Sequence, residues 1–183
     1  MKIVRLKKIA TGTTGSEIAE AALVLPIFFL IMLGIYWFGR AFNTYATINH
    51  AAREGARVGV AQTCATCASL TTSQTTNLIA AQVGQSLQAS RLDPTQVQNL
   101  RGTHTACGGV GSNSCQTPTP GPQVPQICVY YDVQLSTLPS GSGGPACGVS
   151  VEFQYPYQFS LPYTSLNMQK LTLSAGVQMT GEY

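Results

Sequence analysis

Charge is what this sequence has least of. Asp, Glu, Lys and Arg make up only 9% of its 183 residues, against roughly a quarter in ordinary soluble proteins. Beyond residue 58 the charges are Arg91, Arg101 and Lys170 against Asp93, Asp132, Glu152 and Glu182. A body so close to neutral, with no basic stripe, argues against a nucleic-acid partner. Histidine is also scarce. His50 lies in a helical pattern beside Ala51 and Ala52, and His104 sits in a Gly/Thr loop; neither has an acid and a nucleophile at recognisable spacing. No phosphate-binding Gly-Lys loop occurs, and GSGG at 141–144 reads as linker. Internal repeats are lacking too. The residues therefore nominate no catalytic group, no metal ligand and no cofactor, and the expectation is a protein that is not an enzyme.

What is present begins with cations. Lys2, Arg5, Lys7 and Lys8 precede the first acid, Glu17. Residues 21–39, AALVLPIFFLIMLGIYWFG, then carry no charge. A helix of that length spans roughly 28 Å, close to the hydrocarbon thickness of a bilayer. Tyr36 and Trp37 stand at its far end, where amphipathic rings favour the interface, and Pro26 removes one backbone donor. A buried core helix is the competing reading; the leading cations, the length and the aromatic end favour a membrane span. Four cations precede the run, while Arg40, Arg53 and Arg57 follow it, a modest bias toward a cytoplasmic N-terminus.

The cysteines point the same way. Cys64, Cys67, Cys107, Cys115, Cys128 and Cys147 all follow the apolar run. An even number on one side fits disulfides in an oxidising compartment. Cys64-Ala-Thr-Cys67 has the spacing of a redox pair, but a thioredoxin-like motif needs a βαβ setting that is missing here. Zinc needs four ligands, and only scattered cysteines, His50 and His104 are on offer. Six cysteines allow about 15 connectivities; Cys107 with Cys115 would close a Gly-rich loop.

The fold class read from these patterns is α+β: a long N-terminal membrane-spanning helix continuing into a small domain with an antiparallel sheet. Residues 1–15 form a basic leader, 16–39 the transmembrane helix, 40–60 an extended amphipathic helix and 61–183 an extracytoplasmic domain. In the extended helix Phe42, Tyr45, Ile48 or Asn49, Ala52, Ala56 and Gly59 recur at helical spacing. Ala52, Gly55, Ala56 and Gly59 make a small-residue stripe, open to a neighbouring helix or to the chain's own core. Arg53, Glu54 and Arg57 are placed for i,i+3 or i,i+4 contacts or a solvated face. A second helix is predicted at about 69–89, with Leu78, Ile79, Val83 and Leu87 inward. Asp93-Pro94 breaks it, and 102–126 reads as a long surface loop. Strands are predicted near 127–135, 148–159 and 171–179. Val129, Tyr131, Val133 and Leu135 alternate with period two, as do Val149, Val151 and Phe153.

The residues around the apolar run are more specific. Gly15-Ser16-Glu17-Ile18-Ala19-Glu20 places a small-residue junction before the span, with an acid five residues past Gly15. It resembles the leader junction of pilins, cut by a prepilin peptidase. ALVLP at 22–26 and GIYWFGRAFNTYATINHAAREGARVG at 34–59 resemble the TadE-like pseudopilins of the tight-adherence, Flp-type pilus system. Within that stretch Gly34, Gly39, Arg40, Ala51, Ala52, Arg53, Glu54, Gly55 and Arg57 carry the family pattern. The closing LTLSAGVQMTGEY resembles the family's last strand more weakly. Two positions depart from it: Ala21 stands where an aromatic usually follows the acid, and Trp37 replaces an acid, so it cannot form any charged contact that the family makes there.

The resemblance implies cleavage between Gly15 and Ser16, with Glu20 at the fifth mature position. Cleavage after Gly12 would put Glu17 there, but Glu20 alone sits directly before the apolar run and six residues before its proline. Glu20 would pair with the new N-terminus of a neighbouring subunit, and removal of the basic leader would free the subunit from the cytoplasmic surface. The implied protein is a minor pseudopilin of a tight-adherence type IV pilus or secretion apparatus. Its partners would be a prepilin peptidase, other pilin-like subunits, the assembly machinery and the lipid bilayer. It would sit in the bacterial inner membrane with its C-terminal domain outside. The alternative is an uncleaved single-pass envelope protein that binds a partner through its outer domain.

Overall fold

The computed structural model describes residues 13–61, 70–109, 113–119, 121, 123–136, 146–158 and 170–180. Helix α1 runs Thr13–Ala61 and helix α2 Thr72–Ala89; a 3₁₀ turn, Pro94–Gln96, leads into β1, Gln98–Asn99. Strands β2 Cys128–Ser136, β3 Ala146–Gln158 and β4 Lys170–Thr180 follow. This is the α+β arrangement of a long apolar N-terminal helix followed by a small antiparallel sheet. The chain divides into two compact units, Met1–Ala41 and Phe42–Tyr183.

Among the described residues the first unit consists of α1. From Leu23 to Met32 every large apolar side chain is more than half exposed. Each such side chain left in water forgoes about 1.5–3 kcal/mol of burial. The segment Glu17–Ala61 is long and apolar enough to cross a membrane. Pro26 lies inside the helix without ending it, as a membrane helix tolerates.

The second unit is built on β3. β2 and then β1 pair along one side of it and β4 along the other, all antiparallel. The helical face of the sheet carries the main core. There Ile48, Ala52 and Ala56 of α1 and Ile79, Val83 and Leu87 of α2 pack on Val129, Val149, Val151 and Phe153. Helix α2 starts at a capping box: Gln74 N–H donates to Thr71 Oγ1 at 3.4 Å, and Thr71 N–H donates to Gln74 Oε1 at 2.9 Å. Its inward stripe is Thr75, Thr76, Ile79, Ala80, Val83, Gly84 and Leu87. Leu78, expected inside, is exposed, because it falls one position off that stripe. The helix ends with Arg91 at φ 60°. Arg91 N–H donates to the Gln88 carbonyl and Leu92 N–H to that of Leu87, each at 2.9 Å, the pattern of a Schellman ending with arginine where glycine is usual.

The period-two pattern of β2 does not keep one face. Asp132 has φ 56° and the β2–β3 register shifts between Tyr130 and Val133. This bulge swaps the faces. Val129 stays in the helical core with Tyr131 against it, whereas Val133 joins Cys128 and Tyr130 in a second cluster, with Leu135 packed on it. The described residues of the 102–126 loop, of which only Ala106, Pro118 and Pro125 are buried, run as a strap along the edge of β2 away from β3. Ala106 bridges to Val133 and Gln116 to Val129, Gln134 N–H donates to Thr105 and Cys107 N–H to Asp132. Residues 137–145, which include the GSGG read as linker, lie outside the described residues.

Candidate functional site

Glycine and acid positions near the start of α1 are all solvent-facing. Gly15, Glu17 and Glu20 are exposed, and a Cβ on Gly15 would meet nothing within 4 Å. The Gly15–Ser16 bond lies in the first helical turn. Ser16 is helical; Gly12, the other candidate junction, lies outside the described residues. Farther along, Gly34 and Gly39 also have open space where a side chain would go. Arg40 places its guanidinium 5.8 Å from the Trp37 ring centre. The departure at Trp37 thus exchanges an acid for an aromatic face, which a guanidinium can still hold.

In the second unit the motif splits by face. Ala51 and Ala52 are fully buried with Ala56. A Cβ on Gly55 would sit 2.6 Å from Val83 Cγ2, and one on Gly59 would sit 3.0 Å from Ile79 Cδ1. The small-residue stripe therefore serves the chain's own core, letting α2 approach α1 closely. Arg53 and Arg57 face solvent, and Glu54 is half-buried. Among the described residues no ion pair joins them, so the i,i+3 and i,i+4 contacts considered above do not form.

An exposed apolar helix that opens with a small-residue junction and an acid, and ends in a buried small-residue face, is now fully laid out. Residues 15–57 match the TadE-like protein family. No curated protein and no solved structure matches the chain. The TadE-like segment therefore covers the whole exposed stretch and stops where α1 has entered the core.

Among the described residues two disulfides staple the sheet outside the TadE-like segment. Cys107 joins Cys147, with Cα atoms 5.6 Å apart, and Cys115 joins Cys128, with Cα atoms 5.1 Å apart. The suggested Cys107–Cys115 pairing is therefore replaced: both cysteines lie on the strap, and each reaches across to a strand instead of closing the strap on itself. Cys64 and Cys67 lie outside the described residues. The Asp132 carboxylate comes within 4.8 Å of both sulfurs of the first bridge. Sulfurs joined to each other are not the thiolates that a metal requires.

One polar cluster escaped sequence reading. His104 Nε2 lies 2.5 Å from Glu152 Oε1, and both side chains are nearly buried. Ser150 Oγ donates to the same carboxylate oxygen at 3.3 Å. The His104 ring packs on Tyr130, 4.4 Å between centres, and Tyr130 Oη donates to the Gly102 carbonyl at 2.9 Å. Burial, and then the Glu152 charge, raise the Tyr130 phenol above its ordinary range, so it remains a neutral donor. A Cβ on Gly102 would fall 2.5 Å from Glu152 Oε2. The order of contacts matters chemically. The hydroxyl bonds the acid and not the imidazole, so the Ser-His-acid order of a catalytic triad is not formed. This is a clasp that fastens the strap to β3. Its signal in the sequence was faint: Ser150 and Glu152 share β3 with the polar Gln154 and Gln158, and Glu152 lies 48 residues from His104.

Proposed function

We propose that this chain is a pilin-like subunit associated with a tight-adherence pilus, membrane-anchored by α1 and without catalytic activity. The observation that carries this reading is the coincidence of the TadE-like match at 15–57 with the exposed apolar helix. In this reading residues 1–15 are a leader removed by a prepilin peptidase, 16–39 the membrane span, and the cysteine-bearing domain lies outside the cytoplasm. The domain, larger than major pilins of such systems carry, favours a minor subunit.

Glu20 has a specific part. A carboxylate in the hydrocarbon region costs around 2.5 kcal/mol or more at midplane and less toward the interface. An α-amino group freed at Ser16 would be mostly protonated at neutral pH. Pairing Glu20 of one subunit with that amine on its neighbour offsets the cost and sets the stagger between helices. Gly34 and Gly39, with open space beside them, let a neighbouring helix approach. N-terminal sequencing of protein extracted from membranes tests the processing, with Ser16 expected as the first residue. Glu20→Gln should then abolish or greatly reduce incorporation into filaments while leaving cleavage intact. Normal assembly of that variant would remove the pairing.

The uncleaved anchor is the second reading, and one observation favours it. The Gly15–Ser16 bond is helical, whereas a peptidase works on extended backbone. Opening a first turn requires breaking few hydrogen bonds, so the cleaved form remains preferred. Mature protein that still begins at Met1 would decide for the anchor.

A further inference from the structure

Strand β4 keeps one long edge unpaired among the described residues. It pairs with β3 from Gly148↔Thr180 to Gln158↔Lys170 without a register shift, and no described strand lies on its other side. Which backbone groups face that side follows from the strap. Gln116 N–H donates to the Val129 carbonyl, so Val129 turns its backbone away from β3, and its neighbours Cys128 and Tyr130 bond Glu152 and Ser150. The alternate residues of β3 then turn to β4, where Val151, Phe153 and Tyr155 meet Val177, Ala175 and Leu173. That leaves Thr172, Ser174, Gly176, Gln178 and Thr180 with N–H and C=O directed outward. All of them are exposed, and Gly176, having no side chain, is exposed in its backbone itself.

An open edge is normally blunted by proline, a bulge or charge. β4 has no proline and no bulge, and its single charge, Lys170, stands at its start. We propose that two copies of this chain pair antiparallel through β4, centred on Gly176. In that register Thr172 lies opposite Thr180 and Ser174 opposite Gln178 on the outer face, while Leu173 meets Met179 and Ala175 meets Val177 on the helical face. Polar meets polar and apolar meets apolar, the matches that stabilise cross-strand pairs. Leu173, Val177 and Met179 are only half-buried in one copy, so pairing also covers apolar surface. The two Lys170 side chains stand at opposite ends of the joined strands, whereas a parallel pairing would set them side by side. Any extended backbone could bond this edge, but a strand that complements itself on reversal selects its own copy.

The test uses the full-length protein in detergent micelles, with sedimentation velocity for association and amide hydrogen exchange for the edge. A dimer should form as concentration rises, and the amides of Ser174, Gly176 and Gln178 should then exchange at least tenfold more slowly. Ser174→Pro removes an outward N–H, which an edge strand tolerates. It should raise the dimer dissociation constant at least tenfold and leave the melting midpoint of the dilute monomer unchanged. Gly176→Lys and Gly176→Glu should each stay monomeric alone, because like charges meet at the centre, and should pair when mixed. A Cβ on Gly176 would meet nothing nearer than Glu152 Cγ at 3.6 Å, so both side chains fit. A chain that remains monomeric at millimolar concentration would overturn the proposal, as would association indifferent to Ser174→Pro and Gly176→Lys. A lowered midpoint for Ser174→Pro would overturn it too, since the chain's own segments would then hold the edge. No residue of the TadE-like segment takes part, so failure here leaves the pilin-like reading untouched.

Discussion

Within one helix the apolar side chains meet two different surroundings. Leu30, Ile35 and Phe38 of α1 are 71%, 65% and 75% exposed, whereas Ile48, Ala51, Ala52 and Ala56 are completely buried. In the first stretch large residues surround the helix on all sides, so no face is left for water and the outside itself must be apolar. In the second, small residues line one face and the polar ones gather on the other. Exposed bulk in the first stretch and buried small residues in the second mark where α1 stays open and where it closes on its own domain.

Glycine substitutions test that contrast most severely. Gly148→Ala would drive a Cβ into the Met179 carbonyl and the Leu135 side chain. Backbone cannot retreat as a side chain can, so the domain should lose about 3 kcal/mol or more. Gly39→Ala, with open space around it, should leave domain stability unchanged. Chemical denaturation in detergent, followed by near-ultraviolet circular dichroism, reads both. Equal effects would erase the distinction between the packed domain and the open stretch of α1.

Removing the disulfides should act on the domain alone. The Cys107–Cys147 bridge closes 40 residues and Cys115–Cys128 closes 13. By chain entropy they contribute about 4 and about 3 kcal/mol respectively. Paired Cys→Ser variants, melted under the same conditions, should rank in that order, with α1 helicity retained in both.

The clasp comes next. His104→Ala leaves the Glu152 carboxylate nearly buried with Ser150 as its remaining donor among the described residues, which should cost about 2 kcal/mol. A double-mutant cycle with Glu152→Gln should give a coupling well above the few tenths expected of exposed pairs. Additive effects would mean that the pair does not hold the strap. The smallest effect has the opposite sign. Arg91→Gly relieves a positive φ at the end of α2, and the gain should be about 0.5–1 kcal/mol in the same melt.

Much of this was legible beforehand, element by element. Residues 21–39 declare a span by length and lack of charge, and the string at 34–59 shows the resemblance that the TadE-like match at 15–57 bears out. The strand runs in the last third declare an antiparallel sheet. What stayed hidden was whatever depends on one residue breaking a pattern or on two distant ones meeting. Asp132 at positive φ sends Val133 to the opposite face from Val129, and no periodicity shows that. Cys107 passes over the nearby Cys115 for Cys147, because the strap runs alongside β2 and is not a free loop.

The sequence by itself determined that an uncharged helix of bilayer length comes first and that a nearly neutral, cysteine-bearing α+β domain follows. Those are local quantities, set by side-chain polarity and spacing along the chain. Only the tertiary structure decided which glycines are packed and which are open, how the cysteines pair and that His104 finds Glu152. Each of these requires segments separated by tens of residues to come within a few ångströms, and that proximity is created when strap, strands and helices close on a shared core.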